Sequence, residues 1–111
     1  MTLLTRRDDM KLSIVIPACN EAGNIATCVE DLQDVVGVRE GLDYEIVVVN
    51  DNSTDETADV VKELIAKDSS VRLVNRMPPG GFGRAIRSGL DAVNGDVVVI
   101  YMADLSDNPN D

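Results

Sequence analysis

Four short apolar runs, rich in β-branched residues, recur along the chain and predict the strands of a buried sheet. They cover residues 12–16, 45–49, 71–74 and 97–101. The last run is the most continuous, which predicts a strand buried on both faces. Pro17 follows the first run directly, and we expect it to end that strand because proline has no N–H for a sheet ladder.

Between the strands, apolar residues return at helical spacing and predict three helices. Ser53, followed three residues later by Glu56, matches a capping box and predicts that the second helix begins after Ser53. The inner faces are predicted from these sets: Ile25, Cys28, Val29, Leu32, Val35 and Val36; Ala58, Val61, Leu64 and Ile65; Ala85, Ile86, Gly89, Leu90 and Val93. Alternating strands and helices predict a three-layer α/β/α fold with a four-stranded, mostly parallel sheet.

Size and composition narrow the function classes. The 111 residues predict a single domain, with residues 1–10 as a flexible leader. The net charge of −10 argues against nucleic acid as a partner. Histidine is absent, which removes the commonest general base and zinc ligand. Cys19 and Cys28 form neither a metal motif nor a disulfide framework.

Arginines cluster in one segment of this acidic chain. No acidic residue lies between Asp68 and Asp91. The segment holds Arg72, Arg76, Arg84 and Arg87. Two interpretations stay open at this stage: an anionic ligand nearby, or a solvated helix face on which the basic residues cluster by chance.

Polar side chains follow three of the four predicted strands. They are Asn20 and Glu21, Asn50 and Asp51, and Asp104 with Asp107. Taken singly, each has a structural explanation: Asn20 as a helix cap, Glu21 as an acid in a first helical turn, Asp51 as a turn residue. Taken together they predict a ligand site, because ligands of open α/β sheets bind beyond the carboxyl ends of the strands.

The residue types at this edge suit a nucleotide diphosphate. A carboxylate such as Asp51 can accept the N–H groups of a base, and Asp104 can be a ligand of a hard divalent cation that also binds phosphate oxygens. The glycine-rich loop at residues 80–83 precedes a helix and, with Arg84, can approach phosphate. This loop is neither a dinucleotide fingerprint nor a Walker A loop, because it lacks their spacing and residues.

Four segments, at residues 13–21, 46–57, 81–85 and 100–109, resemble successive motifs of family 2 glycosyltransferases with the GT-A fold. The nearest resemblance is to dolichol-phosphate mannosyltransferase-like (polyprenyl-phosphate glycosyltransferase) members. It implies a Rossmann-like nucleotide-diphospho-sugar transferase fold, of which residues 1–111 would be the N-terminal nucleotide-sugar-binding part, without the acceptor half.

The resemblance also implies site residues. The implied nucleotide-binding set is Pro17, Ala18, Asn20, Glu21, Asp51, Gly83, Arg84 and Ala103, and the implied ligands of Mg²⁺ or Mn²⁺ are Asp104 and Ser106. Three positions depart from the family pattern: Cys19 replaces an aromatic residue, Asn50 an aspartate, and Met102 the first acid of the metal motif. A thioether is a poor ligand for a hard cation, so weakened metal binding is expected.

The function implied by the resemblance is transfer of a hexose from a nucleotide-diphosphate sugar, of the GDP-mannose or UDP-glucose type, to an acceptor such as a polyprenyl phosphate. Catalytic residues are not identified, since the family's base lies beyond the metal motif, and these 111 residues are expected to be inactive alone. A cytoplasmic location, with the parent enzyme peripheral to a membrane, and a homodimer formed through the open sheet edge are further expectations. Two alternatives stay open: a degenerate nucleotide-binding or interaction module, and a structural domain whose polar loops are helix caps.

Overall fold

The computed structural model describes residues 10–103. Their elements follow in the order β1 Lys11–Ala18, α1 Ile25–Leu32, β2 Asp43–Asp51, α2 Thr57–Lys67, β3 Val71–Arg76, α3 Phe82–Ala92 and β4 Val97–Ile100. A π-helical segment, Gln33–Arg39, continues α1. The predicted leader lies outside the described residues, apart from residue 10. No helix within residues 10–103 is long and apolar enough to cross a membrane.

The four strands form one parallel sheet in the order β3-β2-β1-β4. Alternate residues of the central strands face opposite layers, as the two-residue period of a strand requires. Ile14 and Ile46 pack in the core with α1 and α2, whereas Val15 and Val47 pack in the core with α3. The sheet therefore lies between two helical layers, which confirms the predicted three-layer α/β/α fold.

The last strand differs from its prediction. Val97, Val98, Val99 and Ile100 of β4 are 37–42% exposed, so this strand is not buried on both faces. Within residues 10–103, β4 pairs with β1 on one side only, and α3 packs over β1 and β2 instead. An apolar β-branched run has the same composition in a central and in an edge strand, and the sequence pattern alone does not distinguish them.

Pro17 does not end the first strand, which runs on to Ala18 beside β2. The Val15 carbonyl accepts a hydrogen bond from Tyr101 N, so the backbone polar groups of Val15 point toward β4. Residues two apart in a strand point the same way, so the backbone nitrogen of Pro17 also faces the β4 side. The β1–β4 register ends at Val15↔Ile100. The missing N–H of Pro17 thus falls beyond the ladder, where it costs no sheet hydrogen bond.

The capping box at Ser53 is not formed. Helix α2 begins at Thr57, with Glu56 as its N-cap residue. The Ser53 hydroxyl instead accepts a hydrogen bond from Asn20 N, 33 positions away, at 2.9 Å. A tertiary partner has replaced the local one, and three residues predicted as helix, at positions 54–56, remain in the loop before α2.

Two apolar residues predicted to face inward are exposed. Val35 lies in the π-helical segment, where the wider turn rotates side chains away from the stripe that Ile25 and Val29 begin. Leu90 on α3 is 46% exposed. α3 approaches the sheet through its small residues Ala85 and Gly89, which leaves Leu90 on the flank of the contact.

Candidate functional site

A cleft of about 190 Å³ opens at the carboxyl ends of β1 and β2. Its wall combines the end of β1, the end of β2, the first turns of α3 and the segment after β4. The lining residues are Pro17, Ala18, Cys19, Glu21, Asp51, Phe82, Ala85, Met102 and Ala103. Five of the eight residues predicted to bind nucleotide are in this set: Pro17, Ala18, Glu21, Asp51 and Ala103.

Asp51 is the buried carboxylate of the cleft, at 8% exposure. Its Oδ1 accepts hydrogen bonds from Arg76 Nη1 at 3.0 Å and Asn52 Nδ2 at 3.0 Å. Its Oδ2 accepts one from Gly81 N at 2.8 Å. Burial raises the pKa of Asp51, but the hydrogen bonds from Gly81 and Arg76 lower it more, so the pKa lies below its ordinary value. Asp51 is therefore held as a carboxylate.

Arg76 connects Asp51 to the glycine-rich loop and to α3. Besides its ion pair with Asp51, its guanidinium donates to Pro79 O at 3.0 Å and to Ser88 Oγ at 2.9 Å. Gly81 has φ of +149°, a conformation that side chains rarely adopt, and this lets its N–H point at Asp51. The loop between β3 and α3 is thus fastened at the edge of the cleft.

Asn20 lies outside the cleft lining and fastens two loops together. Its Oδ1 accepts hydrogen bonds from Thr54 N at 2.7 Å and Asp55 N at 3.3 Å. Its φ of +57° is a left-handed conformation that asparagine tolerates better than most residues. In this structure Asn20 holds the loop after β1 against the loop after β2, which places Glu21 and Asp51 at one opening.

Glu21 is half-buried, and its backbone also helps to hold the loop after β1 in place. Its N–H donates to Thr57 Oγ1 at 2.9 Å, and its carbonyl accepts from Ile25 N at 2.8 Å. The side-chain Oε1 accepts from Asn24 Nδ2 at 3.2 Å. Glu21 thus contributes a second carboxylate to the cleft on a loop whose backbone is anchored on both sides.

Gly83 and Arg84 occupy the first turn of α3 and are not among the residues that line the cleft.

The four arginines of the basic segment have two different environments in the structure. Arg72 pairs with Glu45 at 2.8 Å and Arg76 with Asp51 at 3.0 Å, so both neutralise carboxylates of their own chain. Arg84 and Arg87 are exposed on α3.

Sequence reasoning missed Phe82 and Ala85 as cleft residues. Phe82, the only phenylalanine of the chain, is the first residue of α3. Its side chain is 54% exposed, whereas a large apolar side chain is ordinarily expected in the core. The available signal was its position within the glycine-rich loop at residues 80–83. Cys19 and Met102, two positions that depart from the family pattern, both lie in the wall of the cleft.

A metal site is not assembled by the described residues. Residues 10–103 contain no group of three or more His, Cys, Asp or Glu side chains placed to hold an ion. Met102 offers a thioether, which does not suit a hard cation. The predicted ligands Asp104 and Ser106, and the neighbouring Asp107, lie outside the described residues, so the metal site remains a prediction.

Comparison with known proteins identifies the family. Residues 13–111 match the family described as Glycosyl transferase family 2. The chain belongs to this family. It is 36% identical over 100 residues to dolichol-phosphate mannosyltransferase of Pyrococcus furiosus, covering 90% of this chain and 27% of that protein. It is 38% identical over 97 residues to the probable glycosyltransferase YdaM of Bacillus subtilis, covering 85% of this chain and 23% of that protein.

Solved structures of other proteins share the fold. Mannosyltransferase PcManGT from Pyrobaculum calidifontis, in complex with GDP-Man and Mn²⁺, superposes with a TM-score of 0.74 at 28% identity, covering 90% of this chain and 28% of that one. S. aureus TarS 1-349, in complex with UDP-GlcNAc, gives a TM-score of 0.70 at 26% identity, covering 86% and 27%. The GT-A fold of the chain is thereby confirmed, and the chain spans about a quarter of the length of these relatives.

Proposed function

We propose that this chain is the donor-binding part of a glycosyltransferase that moves a hexose from a nucleotide-diphosphate sugar to an acceptor. The observation that carries the proposal is the cleft beyond β1 and β2, with the ionised Asp51 in its wall. Membership of Glycosyl transferase family 2 and the GDP-Man and UDP-GlcNAc complexes of structural neighbours support it.

Asp51 would orient the nucleobase. A carboxylate has about four acceptor positions, and the hydrogen bonds to the Asp51 side chain among the described residues use three. The position left on Oδ2 can accept one N–H of a base. Since Arg76 and Gly81 hold the carboxylate in place, little ordering is needed when the base arrives.

The cleft volume of about 190 Å³ is smaller than the 300–1,000 Å³ that is typical of ligand pockets. It accommodates one part of a sugar nucleotide, and we assign it to the nucleoside. The diphosphate would extend toward the start of α3, where Gly83 and Arg84 offer backbone N–H groups and a cation. A divalent metal would be held by Asp104 with Ser106.

For the acceptor we propose a polyprenyl phosphate, because the similar protein from Pyrococcus furiosus is a dolichol-phosphate mannosyltransferase. Such an acceptor lies in a membrane, while its sugar nucleotide is dissolved in water. The proposed location is therefore cytoplasmic, with the enzyme peripheral to the cytoplasmic face of a membrane. We also propose a homodimer paired through the exposed edge of β4, since an unpaired apolar edge strand favours self-association.

Thermal unfolding of the chain with sugar nucleotides tests the proposal. GDP-mannose, UDP-glucose and ADP-ribose are added separately, each with and without Mn²⁺. A ligand at ~100 times its dissociation constant raises the free energy of unfolding by about 2.7 kcal/mol. We expect stabilisation by GDP-mannose or UDP-glucose, lost in Asp51→Asn and kept in Asp59→Asn, a control on the exposed side of α2. Equal stabilisation of both variants would contradict the assigned role of Asp51.

Met102 in the cleft wall favours a second candidate function, a nucleotide-binding module that has lost catalysis. The variant Met102→Asp separates the two candidates. If it markedly strengthens Mn²⁺-dependent binding of the donor, the geometry of a metal site is intact, as the glycosyltransferase proposal requires. Unchanged binding in the presence of Mn²⁺ favours the module.

A further inference from the structure

We propose that Phe82 is the aromatic platform on which the base of the nucleotide stacks. The inference rests on the proposed function and names a residue that determines how the donor is held. Phe82 is 54% exposed and lines the cleft. It is the only aromatic side chain among the described residues of the lining, the others being aliphatic, sulfur-containing or acidic.

The position of Phe82 is tied to that of Asp51. The residue before it, Gly81, donates its N–H to Asp51 Oδ2 at 2.8 Å. Gly80 also packs on this carboxylate: a Cβ added to it would lie 3.4 Å from Asp51 Oδ1 and 3.5 Å from Oδ2. A base that donates to the acceptor position left on Oδ2 therefore lies immediately beside the start of α3, within reach of the Phe82 ring.

The support behind Phe82 keeps the platform in place. Phe82 begins α3, and Ala85 N donates to Gly81 O at 2.9 Å in the first turn of the helix. Arg76 joins the helix through Ser88 and the preceding loop through Pro79. A ring on an anchored helix start loses little freedom when it stacks, whereas the same ring on a loose loop would have to be ordered first.

The chemistry of the cleft favours a base over other occupants of this surface. Every nucleobase presents a π-face, so an aromatic ring stacks on it without selecting one base, while Asp51 supplies the hydrogen-bond contact at the base edge. Pro17, Ala18 and Cys19 also line the cleft, and their compact side chains leave room for a planar group. Phe82 would thus provide affinity and Asp51 orientation.

The absence of tryptophan from the chain allows a direct test. Phe82→Trp places a single indole at the proposed platform, and Leu90→Trp places one about two turns along the same helix, outside the cleft lining. GDP-mannose and UDP-glucose, each with Mn²⁺, should change the emission of the first variant and leave the second unaltered. Ribose 5-phosphate and pyrophosphate, which lack a base, should change neither.

Affinity gives an independent readout. Phe82→Leu keeps an apolar side chain and removes the ring, so the dissociation constant of the donor should rise on the order of tenfold. Leu90→Ala should leave it unchanged, and circular dichroism checks that both variants fold. If wild-type protein binds the donor but Phe82→Leu binds equally well, or if pyrophosphate alone reproduces the emission change, stacking is overturned and the proposed function stands. If wild-type protein binds no sugar nucleotide, both fail.

Discussion

Ser13 and Glu45 share a buried hydrogen bond between neighbouring strands, with Ser13 Oγ donating to Glu45 Oε2 at 2.5 Å. The same Oε2 accepts from Asn94 N at 2.6 Å, and Ser13 Oγ accepts from Gly95 N at 2.8 Å. Arg72 completes the group through its ion pair with Glu45. This network joins the turn before β4 to β1, β2 and β3, at the sheet end opposite the cleft.

Removing Glu45 should be costly. Glu45→Ala leaves Asn94 N–H and the Ser13 hydroxyl without their acceptor, and we expect the free energy of unfolding to fall by about 2–3 kcal/mol. Glu63→Ala on the exposed side of α2 is the matched control and should cost under about 0.5 kcal/mol. Urea unfolding followed by far-ultraviolet circular dichroism measures both. Equal costs would show that the network adds nothing to stability.

Acid should weaken the fold through the same carboxylate. Burial raises the pKa of Glu45, but hydrogen bonds from Asn94 N, Ser13 and Arg72 lower it more, so the folded-state pKa lies below the unfolded value. Unfolded glutamate titrates near about 4.3. The stabilisation is complete well above that pH and is lost as the pH falls through the folded-state pKa.

Urea unfolding between about pH 3 and 6 checks this pH dependence. Glu45→Gln should reduce it because a neutral amide does not titrate, and the part that remains comes from other carboxylates with a lowered pKa, such as Asp51. A wild-type stability that stays level down to about pH 3 would contradict the lowered pKa.

Gly89 allows α3 to approach the sheet closely. A Cβ at this position would lie 2.3 Å from Val15 Cγ1 and 3.2 Å from Val49 Cγ2, both in the core. Gly89→Ala should therefore lower the free energy of unfolding by about 1–3 kcal/mol. Gly83→Ala in the same helix has no atom within 4 Å of the added Cβ and should be neutral or stabilising by up to about 1 kcal/mol. Urea unfolding decides, and the opposite order would show that the helix does not lie this close.

The two cysteines should differ in reactivity. Cys19 is exposed at the cleft, whereas Cys28 is buried, and burial raises its pKa to about 12, aided by Asp31 and Glu21. A thiol reagent at pH 8 should label one cysteine rapidly in the folded chain and none in Cys19→Ser. A bound sugar nucleotide should slow the labelling of Cys19. Rapid labelling of both thiols in folded protein would contradict the placement of Cys28.

The edge of β4 should govern self-association. Val99 is one of its exposed residues, and a lysine on an edge strand opposes pairing with another chain. Val99→Lys should shift the sedimentation profile from dimer toward monomer, while Lys62→Arg, a conservative change on the exposed side of α2, should leave it unaltered. A wild-type chain that is monomeric at all concentrations would exclude the dimer.

Local patterns in the sequence determined the order of strands and helices, the two helical layers and the edge at which polar loops meet. These features follow from apolar periodicity and from the rule that parallel strands end at one edge, which need no knowledge of distant contacts. The GT-A fold was recognised from motifs that lie at those same strand ends. Pro17, Ala18, Glu21 and Asp51 could be assigned to the cleft in advance for this reason.

Only the tertiary structure decided which partner each polar group takes and which apolar surface is covered. The Ser53 hydroxyl accepts a hydrogen bond from Asn20 N instead of capping its own helix. Arg76 forms an ion pair with Asp51, and Phe82 is exposed in the wall of the cleft. β4 has the composition of a central strand but lies at the edge of the sheet that residues 10–103 form. A hydrogen bond or a buried face depends on what the fold brings near it from far along the chain, and local residue patterns do not record that proximity.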